Sequence, residues 1–461
     1  MAWALSGGQA CTPAPPKAQA TDPIVIGVSL GLSESLASFS APLQNAVRVA
    51  EGQINAGGGL LGRPVKFDVV DDKSDAKDFV QGVARGFADQ NVAAVLGPVG
   101  SSQVDAVQSI LRAKQILLIS PAATSPTLSS VQPARDRYLF RTVPTDNLQA
   151  SALVQLAIRG PSGFGAPIDA GADASPEGGR EPPDGGAPGP GCRSMAIVHA
   201  DNKYGGPMAD VLEKQFPNAA AGRSIAVRIA VSETVVSSYE DVVGTVLAAK
   251  PDCLALIQYD DVGGAFMRAL DKGRREAPGS LPVGFFVMGT DGTYTPGFLE
   301  NSRESKTDPG SRNSAEGVVG TNPDTAPLTP EYNEFKDIYL SYFPTKPGDG
   351  GVIELPAFIA NMFDAAVLVA LAIQQAGSAT DRVKIRDALY AVSKGGKAYS
   401  PSQLSDALQA IRQGADIDYN GASGNVDLDD NGDVVSGFII WKIENGAFVT
   451  KGRVAARDLG P

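Results

Sequence analysis

Short apolar segments alternate with helix-forming segments in the first part of the chain, and this alternation constrains the fold most strongly. Residues 24–29, 65–70, 93–96 and 116–119 predict strands. After the first of these, apolar residues recur at helical spacing, and Ser40 is the predicted N-cap of that helix. Such alternation produces parallel strands joined by right-handed crossovers, which predicts a doubly wound α/β sheet.

The same pattern restarts later in the chain. Residues 161–191 are rich in Gly, Pro, Ala and Asp and predict a disordered insertion. Beyond them, strands are expected to begin near Met195, Ser224, Cys253 and Val283, again with helices between them. A chain of 461 residues is long enough for two domains. We therefore expect two parallel sheets with a cleft between them, and parallel sheets bind ligands at the carboxyl ends of their strands.

Two segments at predicted strand ends are candidates for ligand binding. Residues 96–102 and 119–124 each run from an apolar strand into a Gly/Pro turn that presents a hydroxyl group, from Ser101 and Thr124 respectively. Ser101 also opens a predicted helix. Because the first amides of a helix are unpaired and lie at the positive end of its dipole, they bind anions. The pattern predicts a site for a small anionic group.

Composition argues against several classes of function. The formal net charge is −12, with no cluster of lysine and arginine, so nucleic acid is not an expected partner. The chain has one histidine, no complete dinucleotide fingerprint, no nucleophile elbow and no phosphate loop. We therefore expect no cofactor and no enzymatic activity. No uninterrupted apolar run approaches the roughly 18 residues of a membrane helix.

An acidic segment near the C-terminus imitates the start of a calcium loop. Asp427, Asp429, Asn431 and Gly432 have the right spacing, but Phe438 stands where a bidentate glutamate is required. A tight turn between strands is therefore the expected structure, and no metal site is predicted.

The N-terminal segment, residues 1–22, contains Cys11. Small residues precede this cysteine and a Pro/Ala-rich stretch follows it, as at the end of a bacterial lipoprotein signal. Either Cys11 carries a lipid anchor, or it is a cysteine without function in a signal remnant or linker.

Several short motifs, taken in order, resemble a known family. They are INAGG at 54–58, LGRPV at 61–65, DD at 71–72, PAATSP at 121–126, FRT at 140–142, YG at 204–205, AEG at 315–317, YNG at 419–421 and DDNGD at 429–433. The sequence resembles the class I periplasmic solute-binding proteins of ABC transporters, in particular the branched-chain amino-acid (Leu/Ile/Val) group. The resemblance extends from Pro23 to about Lys451.

The resemblance implies two lobes joined by a three-segment hinge, with crossovers near Thr145, Asn322 and Gly424. Lobe 1 would comprise residues 23–145 and 323–424, and lobe 2 residues 146–322 and 425–455. The resemblance further implies an extracytoplasmic, monomeric clamp that closes on a solute, which a membrane ABC permease then accepts.

The family's ligand-binding residues fall on seven positions of this sequence. Ser101, Ala122 and Thr124 match residues that bind a carboxylate, and Asp291 matches the acid that binds an α-ammonium group. The aromatic positions are Tyr204, Tyr259 and Phe39. Considered singly, each has a simpler explanation: a helix cap, a turn hydroxyl, a loop acid or aromatic core packing.

Two cysteines open strands of the predicted second sheet. Cys192 precedes its first strand and Cys253 begins its third, and these strands are neighbours in a doubly wound sheet. Their starts could come within disulfide range. A disulfide bond and two buried free thiols both fit the sequence.

The leading hypothesis is a binding protein that serves an ABC transporter. Its ligand would be a branched-chain or other apolar amino acid. One alternative is a sensor or binding protein for an amide, urea or aromatic acid, for which Asp291 would have no ammonium partner. A less favoured alternative is an α/β enzyme acting in the cleft.

Overall fold

The structure is a computed structural model that describes residues 22–163, 191–308, 310–345 and 353–459. Cys11 and nearly all of the Gly/Pro-rich insertion lie outside the described residues.

The first sheet is five-stranded and entirely parallel, which confirms the predicted fold class. Its strands, in chain order, are β1 Ile24–Leu30, β2 Val65–Asp71, β3 Ala94–Leu96, β4 Leu117–Ser120 and β5 Leu139–Arg141. Their spatial order is β2-β1-β3-β4-β5. The order places β3 and β4, whose following turns hold Ser101 and Thr124, side by side.

Helices cover both faces of this sheet. The first three are α1 Ala37–Ala56, α2 Asp78–Asp89 and α3 Ser101–Ala113. The predicted cap at Ser40 is wrong, because α1 begins at Ala37, directly after a 3-10 turn at Glu34–Leu36. Leu36 and Phe39 are both buried in the lobe 1 core. Burial of these two apolar side chains extends the helix one turn earlier than the capping preference of Ser40 suggests.

The second sheet is seven-stranded. Its strands are β6 Ser194–Ala200, β7 Ser224–Val231, β8 Cys253–Ile257, β9 Phe286–Gly289, β10 Val319–Pro323, β14 Phe438–Glu444 and β15 Ala447–Val454. Their spatial order is β15-β14-β10-β9-β8-β6-β7. The helices that accompany it are α4 Asp146–Arg159, α5 Gly205–Ala219, α6 Glu240–Ala249, α7 Asp260–Glu276 and α8 Pro296–Asn301. The C-terminal hairpin β14–β15 completes this sheet, where β14 runs antiparallel to β10.

The segment between β10 and β14 packs on the first sheet. It contains α9 Pro330–Tyr342, α10 Ile359–Ala376, α11 Arg382–Ser393, α12 Leu404–Arg412 and the short strands β11 Lys397–Tyr399, β12 Ile417–Gly421 and β13 Gly424–Asn425. The sequence did not predict α12 or the three-stranded sheet β11-β12-β13. Helix α10 begins after Pro356, which disfavours helical backbone at the residue before it.

Helix α10 is the centre of the lobe 1 core. By length and composition it could cross a membrane, but 89% of it is buried inside the protein. Asn361 and Asp364 interrupt its apolar residues, so the sequence contains no uninterrupted apolar run of that length here. Asp364 is satisfied internally, since its carboxylate accepts hydrogen bonds from Tyr419 and Ser423.

The chain passes between the two sheets three times. It leaves the first sheet after β5, returns after β10, and leaves again after β13. The carboxyl ends of β3 and β4 consequently face elements of the second lobe.

A disulfide bond joins Cys192 and Cys253 at the start of the neighbouring strands β6 and β8. Their Cα atoms are 5.6 Å apart, and both side chains are fully buried. The bond lies at the opposite end of the sheet from the strand ends that carry Tyr204 and Tyr259. It therefore reinforces lobe 2 without touching the cleft.

Alkylation tests this disulfide bond. When the protein is denatured without reductant and treated with iodoacetamide, mass spectrometry is expected to find Cys192 and Cys253 unlabelled and Cys11, where present and unmodified, labelled. After reduction with dithiothreitol, both lobe 2 cysteines should be labelled. Full labelling before reduction would contradict the bond.

Candidate functional site

The turn after β3 brings the start of α3 to the cleft. Gly97 has a positive φ of 75°, and a Cβ atom there would lie 2.1 Å from the carbonyl oxygen of Ser29. Only glycine fits this close approach. Gly100 is the extended N-cap residue and Ser101 the first residue of α3, so the unpaired amides of the helix begin at the predicted ligand-binding serine.

The turn after β4 is tied to the turn after β3 by hydrogen bonds. The Ser120 hydroxyl donates to the carbonyl oxygen of Pro98 at 2.6 Å and accepts from the amide of Ala123. The Ser101 hydroxyl accepts from the amide of Ser125 at 3.2 Å. The two turns therefore form one rigid unit that carries Ser101 and Thr124.

Arg141, at the end of β5, holds the second of these turns from behind. Its guanidinium donates to the carbonyl oxygens of Ala123 and Ser125 and forms a 2.6 Å ion pair with Asp433. Asp433 lies on the third connection between the lobes, and both charged groups are buried. Sequence reasoning recognised both residues only as parts of family motifs and missed this role.

The second lobe supplies an acid and two aromatic rings. Asp291 follows β9, and its Oδ1 atom accepts a hydrogen bond from the Tyr204 hydroxyl at 2.7 Å. The same hydroxyl accepts from the amide of Gly292 at 3.2 Å and lies 2.7 Å from the hydroxyl of Thr290. The Tyr204 ring stacks on Tyr259, with centroids 5.4 Å apart. These contacts fix the direction in which the Asp291 carboxylate points.

All seven predicted ligand-binding residues come together around one cavity between the lobes. Its walls are formed by Leu36, Phe39, Val99, Gly100, Ser101, Ala122, Thr124, Tyr204, Tyr259, Asp291, Gly292 and Phe358. The hydroxyl-bearing turns of lobe 1 thus share a cavity with the acid of lobe 2. A Cβ atom at Gly292 would lie 2.4 Å from the carbonyl oxygen of Gln258, so this wall requires glycine.

Sequence reasoning missed the apolar wall made by Leu36, Val99 and Phe358. Val99 lies inside the turn already selected, and Leu36 is one helical turn before Phe39. Their closeness in sequence to predicted site residues could have identified both. Phe358 is far in sequence from every predicted site residue, because it comes from the segment that returns to lobe 1 after β10. Its φ of 64° is left-handed, a strained conformation for an aromatic residue.

Polar contacts between the lobes flank this cavity. The Ser38 hydroxyl donates to Oδ2 of the buried Asp260 at 2.5 Å. On another side, the amide of Lys203 donates to the Ser102 hydroxyl, and the Lys203 ammonium lies 3.3 Å from Asp105. Ser38, Ser102 and Lys203 are each adjacent in sequence to a residue of the cavity wall, as is Asp260. The lobes therefore meet directly around the site.

Burial perturbs the acid of the second lobe. Asp291 is 6% exposed, and loss of solvation raises the pKa of its carboxyl group to about 6, while hydrogen bonds from Tyr204 and Gln149 act in the opposite direction. The pKa of the Tyr204 hydroxyl is raised well above its usual value by burial and by the charge of Asp291. Tyr204 is therefore a neutral hydrogen-bond donor to Asp291.

Comparison with known proteins supplies the family. The profile of the family described as periplasmic binding protein matches residues 23–414. The chain belongs to the periplasmic binding protein family and has its type I fold. Members of this family are substrate-binding proteins that take small molecules, and their name places them outside the cytoplasm.

Individual relatives differ in what they bind. BasB, the chemotactic signal transduction system substrate-binding protein of Halobacterium salinarum, is 25% identical over 439 residues, which cover 94% of this chain and 90% of BasB. The leucine-binding protein LivK of Thermotoga maritima shares the fold, with a TM-score of 0.69, 17% identity and coverage of 94% of this chain and 99% of LivK. A solute-binding protein of an ABC transporter from Rhodopseudomonas palustris, in complex with 3,4-dihydroxybenzoic acid, has a TM-score of 0.64 at 17% identity, covering 94% and 97% of the two chains.

The raised pKa of Asp291 predicts that this residue reduces the stability of the ligand-free protein. Because the folded protein binds the proton more tightly than the unfolded chain does, stability falls as pH rises from about 4 to about 6. At pH 7.5, Asp291→Asn is expected to raise the free energy of unfolding by on the order of 2 kcal/mol. At pH 4 the difference should disappear.

Thermal or urea unfolding of the ligand-free variant at both pH values checks this prediction. Asp430→Asn, at an exposed acid remote from the cavity, is the control and should change stability little at either pH. An Asp291→Asn protein no more stable than wild type at pH 7.5 would contradict the prediction.

Proposed function

We propose that this protein binds an amino acid with an apolar side chain in the cavity between its lobes and presents it to an ABC permease. The observation that carries the proposal is the arrangement of Asp291 on one lobe and Ser101 and Thr124 on the other around a single small cavity. A zwitterion has one charged group for each of these partners.

Hydrogen bonding on the lobe 1 side suits a carboxylate. Ser101 is the first residue of α3, so its hydroxyl group accompanies the free amides of the helix start, and Thr124 lines the same cavity. A buried carboxylate is stable only when such donors replace the water that it loses. Ala122 lines the same wall through its backbone and methyl group.

The lobe 2 side suits an ammonium group. Tyr204 donates to Oδ1 of the Asp291 carboxylate, which lines the cavity and would accept a further hydrogen bond from a ligand ammonium group. Leu36, Phe39, Val99 and Phe358 would surround an apolar side chain.

A sensor for an aromatic acid is the second candidate. Aromatic rings from Phe39, Phe358, Tyr204 and Tyr259 line the cavity, and a protein of the same fold holds 3,4-dihydroxybenzoic acid. BasB belongs to a chemotactic signal transduction system. By analogy, the ligand-bound form of this protein would contact a signalling receptor instead of a permease. Asp291 favours the amino acid, because an aromatic acid brings no cation to this buried carboxylate.

A thermal-shift screen of the purified protein tests the proposed ligand class. Leucine, isoleucine and valine are expected to raise the melting temperature, whereas 4-hydroxybenzoate, acetamide and urea are not. A ligand at 100 times its Kd stabilises the folded state by about 2.7 kcal/mol. Ser101→Ala and Asp291→Asn should each weaken binding by roughly 10- to 100-fold, because each removes a hydrogen bond to a charged ligand group.

Ser130→Ala and Asp430→Asn are the matched controls, since both residues are exposed and remote from the cavity. They are expected to keep the wild-type shift. A shift with 4-hydroxybenzoate and none with any amino acid would replace the proposal by the aromatic-acid alternative.

The hydrogen bond between Ser38 and Asp260 predicts an effect on closure. Ser38 does not belong to the cavity wall, so Ser38→Ala should leave the preference among leucine, isoleucine and valine unchanged. Loss of this contact between the lobes should speed dissociation of leucine by about fivefold, since a hydrogen bond of this kind contributes about 1 kcal/mol. Stopped-flow fluorescence measures the rate. An unchanged dissociation rate, or a changed preference, would contradict this role.

A further inference from the structure

Two polar side chains on the otherwise apolar helix α10 contact the connections between the lobes. Asn361 and Asp364 are three residues apart, so they occupy neighbouring positions on one face of the helix. Both residues are buried. A polar group is tolerated in a protein core where hydrogen bonds replace those that it made to water. The partners of these two side chains therefore indicate what they do.

Asn361 is bonded reciprocally to the start of the first connection, which follows β5. Its side-chain amide donates to the backbone carbonyl oxygen of Thr142 at 2.5 Å. The Thr142 hydroxyl donates in return to the backbone carbonyl oxygen of Asn361 at 2.8 Å. Thr142 is the first residue after β5, and it is buried. The two bonds thus attach the point where the chain leaves lobe 1 to the central helix of that lobe.

Asp364 makes the corresponding contacts at the start of the third connection, which follows β13. Its Oδ1 atom accepts hydrogen bonds from the Tyr419 hydroxyl and from the amide of Ala422, both at 2.8 Å. Its Oδ2 atom accepts from the amide of Ser423 at 2.7 Å and from the Ser423 hydroxyl at 2.6 Å. Ala422 and Ser423 form the turn between β12 and β13. One carboxylate therefore holds the turn from which the third connection begins.

The first and third connections are also bonded to each other. The amide of Arg141, directly before Thr142, donates to the carbonyl oxygen of Gly432 at 2.8 Å, and its guanidinium pairs with Asp433. Both connections are thus fixed on lobe 1 and placed side by side. A body that is attached at two fixed points rotates freely only about the line through them. The arrangement therefore favours a single axis for movement between the lobes.

The same helix reaches the ligand cavity. Phe358, which lines the cavity, is the residue directly before α10. Asn361 and Asp364 follow it within two helical turns. One rigid element therefore carries a part of the cavity wall and both attachment points.

We propose that Asn361 and Asp364 are positioning residues for lobe closure, which hold the lobe 1 ends of the first and third connections on α10 and so restrict the lobes to one axis of movement. Neither residue lines the cavity, so neither selects a ligand by contact. The role is the same whichever ligand binds, and the inference goes beyond the proposed function.

Stabilisation of the lobe 1 core is the alternative role for these residues. In that case, their substitution lowers the melting temperature but leaves the movement between the lobes unchanged. A measurement of distances between the lobes separates the two roles, because it reports movement within the folded protein.

Double electron–electron resonance on the ligand-free protein gives this measurement. Spin labels are attached at Arg85→Cys in α2 and Ala248→Cys in α6, two exposed positions on different lobes. Cys11→Ser removes the remaining reactive thiol, since Cys192 and Cys253 are bonded to each other. The width of the distance distribution then reports how many directions of movement the lobes have.

The variants Asn361→Leu and Asp364→Asn are each expected to widen the distribution by about twofold, because the lobes then also move about other axes. Asp72→Asn is the matched control. Asp72 is a buried acid of lobe 1 that accepts hydrogen bonds from Ser29 and Ser74, away from the connections. Burial raises the pKa of both Asp72 and Asp364 to about 6. Asp72→Asn should keep the wild-type width even where it lowers the melting temperature.

Three results would overturn the inference. The first is a wild-type width in both Asn361→Leu and Asp364→Asn, and the second is an equal widening in Asp72→Asn. Should Asp364→Asn fail to fold, Ser423→Ala and Thr142→Val replace it, since each removes one hydroxyl group from the contacts described. A wild-type width in both of these milder variants is the third result. No ligand enters the experiment, so its failure leaves the proposed function standing, and a failure of leucine to bind leaves this inference standing.

Discussion

The ion pair between Arg141 and Asp433 is the contact on which the geometry of the site depends most. It joins the end of β5, the turn that carries Thr124 and the third connection between the lobes through one guanidinium group. Because both partners are buried, loss of either would leave an uncompensated charge, at a cost of about 3–5 kcal/mol. The ligand-binding turn therefore has its position set by a residue from the far end of the chain, next to the hinge.

The site combines this rigid support with groups that are unfavourable in isolation. The turns of lobe 1 are held by Ser101 and Ser120, whose hydroxyls bond the neighbouring turn. Asp291, in contrast, is a buried acid, and loss of solvation raises its pKa. Binding proteins concentrate such unsatisfied groups where a ligand will complete them. Because a ligand would supply partners for these groups, ligand binding should also raise the stability of the folded protein.

Much of the fold follows from local pattern. Alternating strands and helices predicted both parallel sheets and the adjacency of β6 and β8, because that topology admits few alternatives. Ser101 and Thr124 could be selected because each follows a strand end, whereas the other cavity residues were selected through the family resemblance. Prediction failed where tertiary packing decides, at the start of α1 before Ser40 and at the apolar wall made by Phe358.

The left-handed backbone of Phe358 connects the ligand cavity with the interior of lobe 1. An aromatic residue does not adopt this conformation by preference, so the ring is held in the cavity wall by the packing of α10, which starts at the next residue. Small changes within the α10 core, at positions such as Met362 or Phe363 that never approach a ligand, would shift this ring before they unfold the lobe. The shape of the cavity wall at Phe358 is thus set by core residues that do not line the cavity themselves.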